Sequence, residues 1–403
     1  MTLGSDRIGW AASQMPVLGQ VAARLRDERP LSGVSVGACL HLTAETAVLA
    51  TALRGAGAEV MLCSANPLSA QDEVIAELLG SSAGDGAMVV HGRHGDAFGD
   101  YEAGIAALAA ARPDVVLDDG GDLLLAARPR LGGTEETATG LVALRRAFSS
   151  PGAAPFPVLA VNEARTERVL NDRHGTGQSA LDGIIRASNV LLAGQTVVVL
   201  GYGSAGMGVA ERARGAGAVV IVCEVDPLAA LEARMAGYEV MPALAAAARG
   251  DIFVTVTGSR AVLGAAHFAV MKSGVLLANA GHFDVEIDLA ALAEIAQGPP
   301  RPVRPLVDQY RLEDGRLLNL LARGRVVNLA AAEGHPAAVM DVSFAVQALS
   351  LSALVREPDR FIPGVQPVPD AIDREVGRLK LAAVGVQIDT PTPEQTRYRQ
   401  AWT

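Results

Sequence analysis

The stretch TVVVLGYGSAGMGVAERARGAGAVVIVCEVDP, from Thr196 to Pro227, decides the fold. A run of β-branched residues leads directly into Gly201-x-Gly203-x-x-Gly206, a helical segment follows, and a second apolar run ends at Glu224. Glycines at this spacing permit a tight turn and a close approach of backbone N–H groups to a pyrophosphate at a helix N-terminus. The acidic residue about 20 positions on accepts the ribose hydroxyls. A bare glycine motif is weak evidence, and a turn used only for packing is its plain alternative. Here strand, helix, second strand and acidic end fall in order, so the reading is a dinucleotide site. Glu224 repels a 2′-phosphate, which favours NAD over NADP.

Working outward, the same kind of segment recurs. AEVMLC, DVVLDDGGD, DIFVTVTG and GVLLANAG are short runs rich in Val, Ile and Leu, ending in Gly, Asp or Asn and separated by helical stretches. That alternation predicts parallel strands joined by crossover helices. HLTAETAVLATALRGAGAEV and SALDGIIRASNVLLAGQTVVVLG each read as a helix feeding a strand. With 403 residues, the chain is long enough for two or three domains. Half of its residues are hydrophobic and 19% charged, the composition of a folded globular protein. A formal net charge of −10 with no long basic run excludes a nucleic-acid partner. No continuous apolar run of about 18 residues is evident and the start lacks a leader pattern, so no membrane association and a cytoplasmic location are expected. Cys39, Cys63 and Cys223 have no CxxC spacing, so neither a zinc site nor a disulfide framework is implied.

In an open parallel sheet, ligands sit outside the carboxyl ends of the strands. Thr257, Asn279 and His282 lie at such ends and are placed to face the nicotinamide. His282 is equally a histidine satisfied by loop hydrogen bonds. Asp118, Asp119 and Asp122 make a plain strand-ending turn with caps, or a group of acids for proton transfer. His41 stands before a helix, and Thr134, Glu136 or Thr137 can serve as caps.

Taken together, GYGSAGMG, EVDPLAALEARMAGYEV, DIFVTVTG, GHFDVEID, RVVNLAAAEGHPAAVM, ACLHLTAETAVL, NPLSAQD, LDDGGD and GTEETATG resemble the S-adenosyl-L-homocysteine hydrolase family, in that family's order and over nearly the whole chain. The resemblance implies a redox-assisted cycle. NAD oxidises the ribose 3′-hydroxyl, the C4′ proton is removed, the 5′-thiolate leaves, water adds and the hydroxyl is restored. It assigns His41 and Asp119 to proton transfer near C4′ and C5′. Thr43, Glu45, His335 and Met340 match the adenine pocket, with Glu136 and Asn66 beside the ribose. Thr137, Thr139, Glu224, Asn279 and Asn328 match NAD contacts, and Gly201, Gly203 and Gly206 carry the pyrophosphate.

The chain departs from the family pattern at VNEARTERVLNDRHGTG, Val161 to Gly177. Glu167 stands where the resemblance calls for a catalytic lysine, Arg168 follows it, and Asn171 and Asp172 replace an acid and amide in reversed order. These positions handle the 3′-hydroxyl proton. An arginine cannot be deprotonated, so Glu167 or Asp172 is the candidate base if burial raises its pKa. A slipped register, another nucleoside substrate and an NAD-loaded binder that does no chemistry are the alternatives. The connection ARPRLG is short, Met207 stands where the family usually has lysine, and Glu333 precedes Gly334 and His335 near the base. The ending EQTRYRQAWT lacks the tail that the family reaches into a neighbouring subunit, although a homo-oligomer, dimer or tetramer, is still expected. The expected architecture is α/β, a Rossmann NAD domain (182–333) inserted in a discontinuous α/β substrate domain (1–181 and 334–403).

Overall fold

The computed structural model describes residues 2–80, 88–150 and 154–401. Two sheets organise them. The first has seven strands, all parallel, in the order Gly364–Pro367, Pro157–Ala160, Gly132–Glu135, Val115–Asp118, Ser35–Leu40, Glu59–Ser64, Val89–His91. The second has eight, and its parallel part runs Leu317–Leu321, Val275–Asn279, Ile252–Thr255, Thr196–Leu200, Val219–Cys223, Glu239–Val240. An antiparallel pair, Arg301–Arg304 and Val307–Arg311, extends it beside Leu317–Leu321.

Strand period and burial explain why continuous apolar runs form these sheets. In TVVVL, Val197 and Val199 pack into one core with Val220, Val222 and Val254, while Val198 and Leu200 pack into another with Ile221, Phe253 and Leu277. Both faces of the strand are therefore dry, as a parallel sheet covered by helices requires. The first sheet repeats this: Leu40 and Leu117 face one cluster, Cys39 and Val116 the other.

Each sheet reverses its winding direction at one place, and those two places hold the site. In the first, strand Ser35–Leu40 lies between Glu59–Ser64 and Val115–Asp118, with Cys39 opposite Asp118. In the second, Thr196–Leu200 lies between Val219–Cys223 and Ile252–Thr255. The carboxyl ends at these reversal points are where ligands bind in open α/β sheets.

Two segments join the units. Glu167–Thr176 is wound as a π-helix and continues into the helix Gly177–Ser188. Ala180, Leu181 and Ile184 of the latter belong to the second sheet's core, so the crossing comes at its first residues. The chain returns through Val327–Ala330 to the helix Ala337–Arg356. Contrary to the sequence reading, this 20-residue helix is long and apolar enough, at a mean hydropathy of 1.7, to cross a membrane by length and composition. It is a core helix: Val342, Phe344, Ala345, Val346, Ala348 and Leu349 pack in the first unit's cluster. Scattered polar residues interrupt its apolar run, which is why no single stretch declared itself.

Candidate functional site

The two switch points face each other across a cleft of about 350 Å³ lined by residues of both units, within the range of small-molecule sites. His41 and Asp119 come from the first sheet's reversal point, and Gly203, Thr257 and His282 from the second unit. His335 and Met340 arrive on the returning chain. No Lys or Arg is among the residues lining this cleft, whereas Glu45, Asp119, Glu136, Asp172 and Glu333 are.

His41 is fixed by two contacts. Ser69 Oγ donates to the carbonyl oxygen of Asn66 at 2.8 Å, so its oxygen accepts the proton on His41 Nδ1 at 2.7 Å. Nε2 then lies 3.3 Å from Asp119 Oδ2, and the other Asp119 oxygen is buried without a partner. Burial pushes the imidazole pKa down, Asp119 opposes that, and His282 adds to it. A neutral imidazole so oriented takes a proton at Nε2 and returns it, the property a proton shuttle needs.

The loop carrying Asp119 is held from beneath. Asp118 accepts from the backbone N–H of Leu124 at 2.7 Å and of Asp119 at 3.0 Å, and burial pushes its pKa up to about 8. Glu135 Oε1 accepts from Gly120 N–H, Thr137 N–H and Thr137 Oγ, which ties this loop to the one bearing Glu136. Glu136 projects into the cleft, where Oε1 accepts from Ser343 Oγ and, at 3.2 Å, from Asn171 Nδ2, and Oε2 accepts from Gln347 Nε2 at 2.5 Å. Burial raises its pKa to about 8. Asp172, raised by burial to about 6 against the opposing Arg168 charge, also lines the cleft; Asn162 Nδ2 is 3.5 Å away. Glu167 is buried behind them.

On the returning chain, His335 Nε2 pairs with Thr176 Oγ1 at 3.1 Å, and burial lowers its pKa to about 4. Thr43, Glu45 and Met340 line the same cleft, and burial raises the Glu45 pKa. Glu333, which also borders it, is ion-paired to Arg7 at 2.6 Å.

The dinucleotide loop has the shape its glycines predict. Gly201 has φ 103°, a conformation other residues rarely adopt, and a Cβ on Gly206 would lie 2.1 Å from the Gly201 carbonyl oxygen. A Cβ on Gly203 meets nothing within 4 Å, so that glycine opens space at the N-terminus of helix Ser204–Gly215. Thr139 Oγ1 and Asn328 Oδ1 are buried, line the cleft and have no hydrogen-bond partner among the described residues. Glycine cradle and orphaned polar atoms fit a dinucleotide.

Several of the expected contact residues are also engaged within the protein, Thr137 and Thr257 while lining the cleft. Asn66 is absent from the residues lining the cleft; its side chain caps a 3₁₀ turn through Leu68 N–H, and it reaches the site only through Ser69. Asn279 spends its amide on Gly281, Phe283 and Gly324 carbonyls and its oxygen on Thr255 and Gly281, so it shapes the loop that presents His282. Thr257 gives its hydroxyl to Glu286, and Thr137 caps helix Ala138–Ala147. Glu224 takes the N–H groups of Tyr202, Val225 and Asp226 and stays at the tip of the second Rossmann strand. Ser69, Thr176, Glu286, Ser343 and Gln347 were missed, because hydroxyls and amides inside apolar segments carry no spacing signal.

Fold and site together define a two-domain α/β protein that holds a dinucleotide in a cleft furnished for proton transfer. Comparison with known families agrees with this. Residues 172–334 match the S-adenosyl-L-homocysteine hydrolase NAD-binding domain, and residues 1–131 match the S-adenosyl-L-homocysteine hydrolase family model. The chain is 48% identical to an adenosylhomocysteinase of Gloeobacter violaceus over 99% of its own length and 94% of that protein's. It is 50% identical to an adenosylhomocysteinase of Aquifex aeolicus, covering 99% and 96%. An S-inosyl-L-homocysteine hydrolase of Methanopyrus kandleri is 48% identical, covering 99% and 95%. The chain belongs to the S-adenosyl-L-homocysteine hydrolase family, and its cofactor is NAD.

Proposed function

We propose that this protein cleaves the thioether of S-adenosylhomocysteine reversibly, to adenosine and homocysteine, by transient oxidation of the ribose at C3′. The observation that carries the reading is the His41 to Asp119 contact, 3.3 Å long and set opposite the dinucleotide loop in one cleft. A pure binding protein has no use for an oriented proton shuttle at that place. NAD, when bound, supplies the hydride acceptor. A ketone at C3′ acidifies the neighbouring C4′ proton, and His41 with Asp119 takes that proton and, after exchange with solvent, later delivers one to the same carbon. Glu136 orients the ribose hydroxyls, held in turn by Ser343, Gln347 and Asn171. Closure of the first unit and its returning helix against the NAD unit excludes water until the thiolate has left.

The substrate's base is the finer question. As a carboxylate Glu45 accepts from an exocyclic amine, and as a neutral acid it donates to a carbonyl. The raised pKa of Glu45 and the S-inosyl-L-homocysteine hydrolase among the relatives support hypoxanthine as the second reading. Buried free thiols at Cys39, Cys63 and Cys223 support a reducing, cytoplasmic setting. Exposed Val384, Val386 and Ile388 near the end of the chain support assembly into a homo-oligomer, which light scattering reads directly.

The assay incubates the NAD-loaded protein with S-adenosylhomocysteine and, in parallel, S-inosylhomocysteine, and detects nucleoside and homocysteine by mass spectrometry. Release of adenosine at the higher kcat/KM is the expected result. Faster release of inosine favours the second reading, and release of neither overturns both.

A further inference from the structure

Three carboxyl groups meet at the ribose side of the cleft, contributed by Glu136, Glu167 and Asp172. Glu136 is fully furnished with donors. Glu167 is 1% exposed, its nearest polar side chains are Asn171 and Ser343, and neither of its oxygens has a hydrogen-bond partner within bonding geometry among the described residues. Asp172 opens onto the cleft, whereas Glu167 is not among the residues lining it. The charges on neighbouring elements do not neutralise the group. Glu211, on helix Ser204–Gly215, is engaged with Arg173; Arg212, on the same helix, faces His174. Asp373, on helix Asp370–Ala383, takes the backbone of Arg165 and Thr166. From helix Ala337–Arg356 only the neutral Ser343 and Gln347 face Glu136. Asp119 adds a further acid, and the Arg168 charge acts on Asp172 and on Glu163. Among the described residues no cluster of His, Cys, Asp and Glu is arranged to hold a metal ion.

Carboxylates crowded into a dry pocket do not all ionise; the group relieves itself by keeping a proton. We propose that Glu136 and Glu167 hold one proton between them, and that Asp172 is the base that takes the 3′-hydroxyl proton. This rests on the 3′-oxidation reading above. In the step, an Asp172 oxygen accepts the hydroxyl proton while the C3′–H electron pair leaves as hydride to the nicotinamide. C3′ becomes a ketone, the cofactor is reduced and Asp172 becomes neutral. The return of the same proton and hydride closes the cycle. The shared proton limits the pair to one negative charge beside the oxygen at C3′, so charge developing there is not opposed by two. Burial raises all three acids, the neighbouring Glu136 charge adds to the rise at Glu167, and at Asp172, held to about 6, the Arg168 charge opposes it. Asp172 is ionised at neutral pH while the pair still holds its proton.

The test compares holoenzyme carrying Glu167→Gln or Asp172→Asn with the natural chain. Each is mixed with adenosine while reduced-nicotinamide absorbance is followed across pH, with NAD content and adenosine binding measured separately. Infrared spectra at neutral pH count protonated carboxyl groups without substrate. Glu167→Gln preserves the net charge of the pair, so the fall of reduction at alkaline pH disappears while NAD and adenosine stay bound. It also removes one protonated-carboxyl band. Asp172→Asn slows reduction by about 100-fold or more with adenosine still bound. Loss of reduction in Glu167→Gln with retention in Asp172→Asn makes Glu167 the base and overturns the assignment. An unchanged carboxyl band in Glu167→Gln overturns the shared proton. If the natural chain reduces no cofactor, the 3′-oxidation reading and the base assignment fall together, while the infrared result still decides the pair.

Discussion

At His41 a hydroxyl and an acid fix where a proton sits: Ser69 holds Nδ1–H, and Nε2 looks at Asp119. Replacing the ring by an amide keeps a donor at one end and removes the base. His41→Asn is therefore expected to lower kcat by about 10²- to 10⁴-fold with NAD content unchanged. A Ser69→Ala chain loses the acceptor that selects the tautomer, so its kcat should fall by a smaller factor. Steady-state rates and cofactor content per subunit check both. His41, Asp119 and Glu136 were named through the family resemblance, and the fold brings all three to strand ends lining one cleft. Ser343 and Gln347 were not legible, because they sit within a helix whose composition reads as core, and only the fold shows Glu136 against them. Asn279 was legible as a residue of the site's neighbourhood, and its amide also holds the loop beside it through the Phe283 and Gly324 carbonyls.

Among the elements, the strands were the most readable. TVVVL, VVIVC and IFVT form adjacent strands because both faces are buried and β-branched side chains fit a pleated surface. The π-helix Glu167–Thr176 was not readable, because its winding follows from tertiary packing. A Cβ on Gly208 would lie 1.8 Å from the Arg173 carbonyl oxygen, and one on Gly177 would lie 2.5 Å from the Gly208 backbone. The π-helix and the dinucleotide helix thus touch backbone to backbone, with Arg173 and Glu211 pairing beside the contact. Gly208→Val should force them apart, cost about 1–3 kcal/mol of stability and weaken NAD retention. Chemical denaturation and the NAD content of the purified variant measure the two effects. A variant with unchanged stability and full NAD content would contradict the role given to this contact.

Over the whole molecule, function arises from bringing two reversal points into opposition, one supplying His41 and Asp119 and the other the dinucleotide loop. Local patterns identified each sheet. Their apposition, and the buried acids between them, depend on how the chain crosses and returns. Those acids make stability depend on pH with a definite sign. The Glu136 pKa is raised by burial from 4.5 to about 8, so the folded state binds the proton more tightly than the unfolded chain. Its contribution is fully present below about pH 4.5 and is lost as pH rises through about 8. The Tm of Glu136→Gln should therefore change less than that of the natural chain between about pH 5 and 8, as calorimetry would show. The central claim is that C3′ is oxidised so that C4′ can give up its proton. It is tested most directly by turning over S-adenosylhomocysteine in heavy water and locating deuterium in the recovered nucleoside by mass spectrometry and NMR. The account predicts deuterium at C4′ and none at C3′, accompanied by a transient reduced-nicotinamide band. Cleavage that leaves C4′ unlabelled and produces no such band would contradict it.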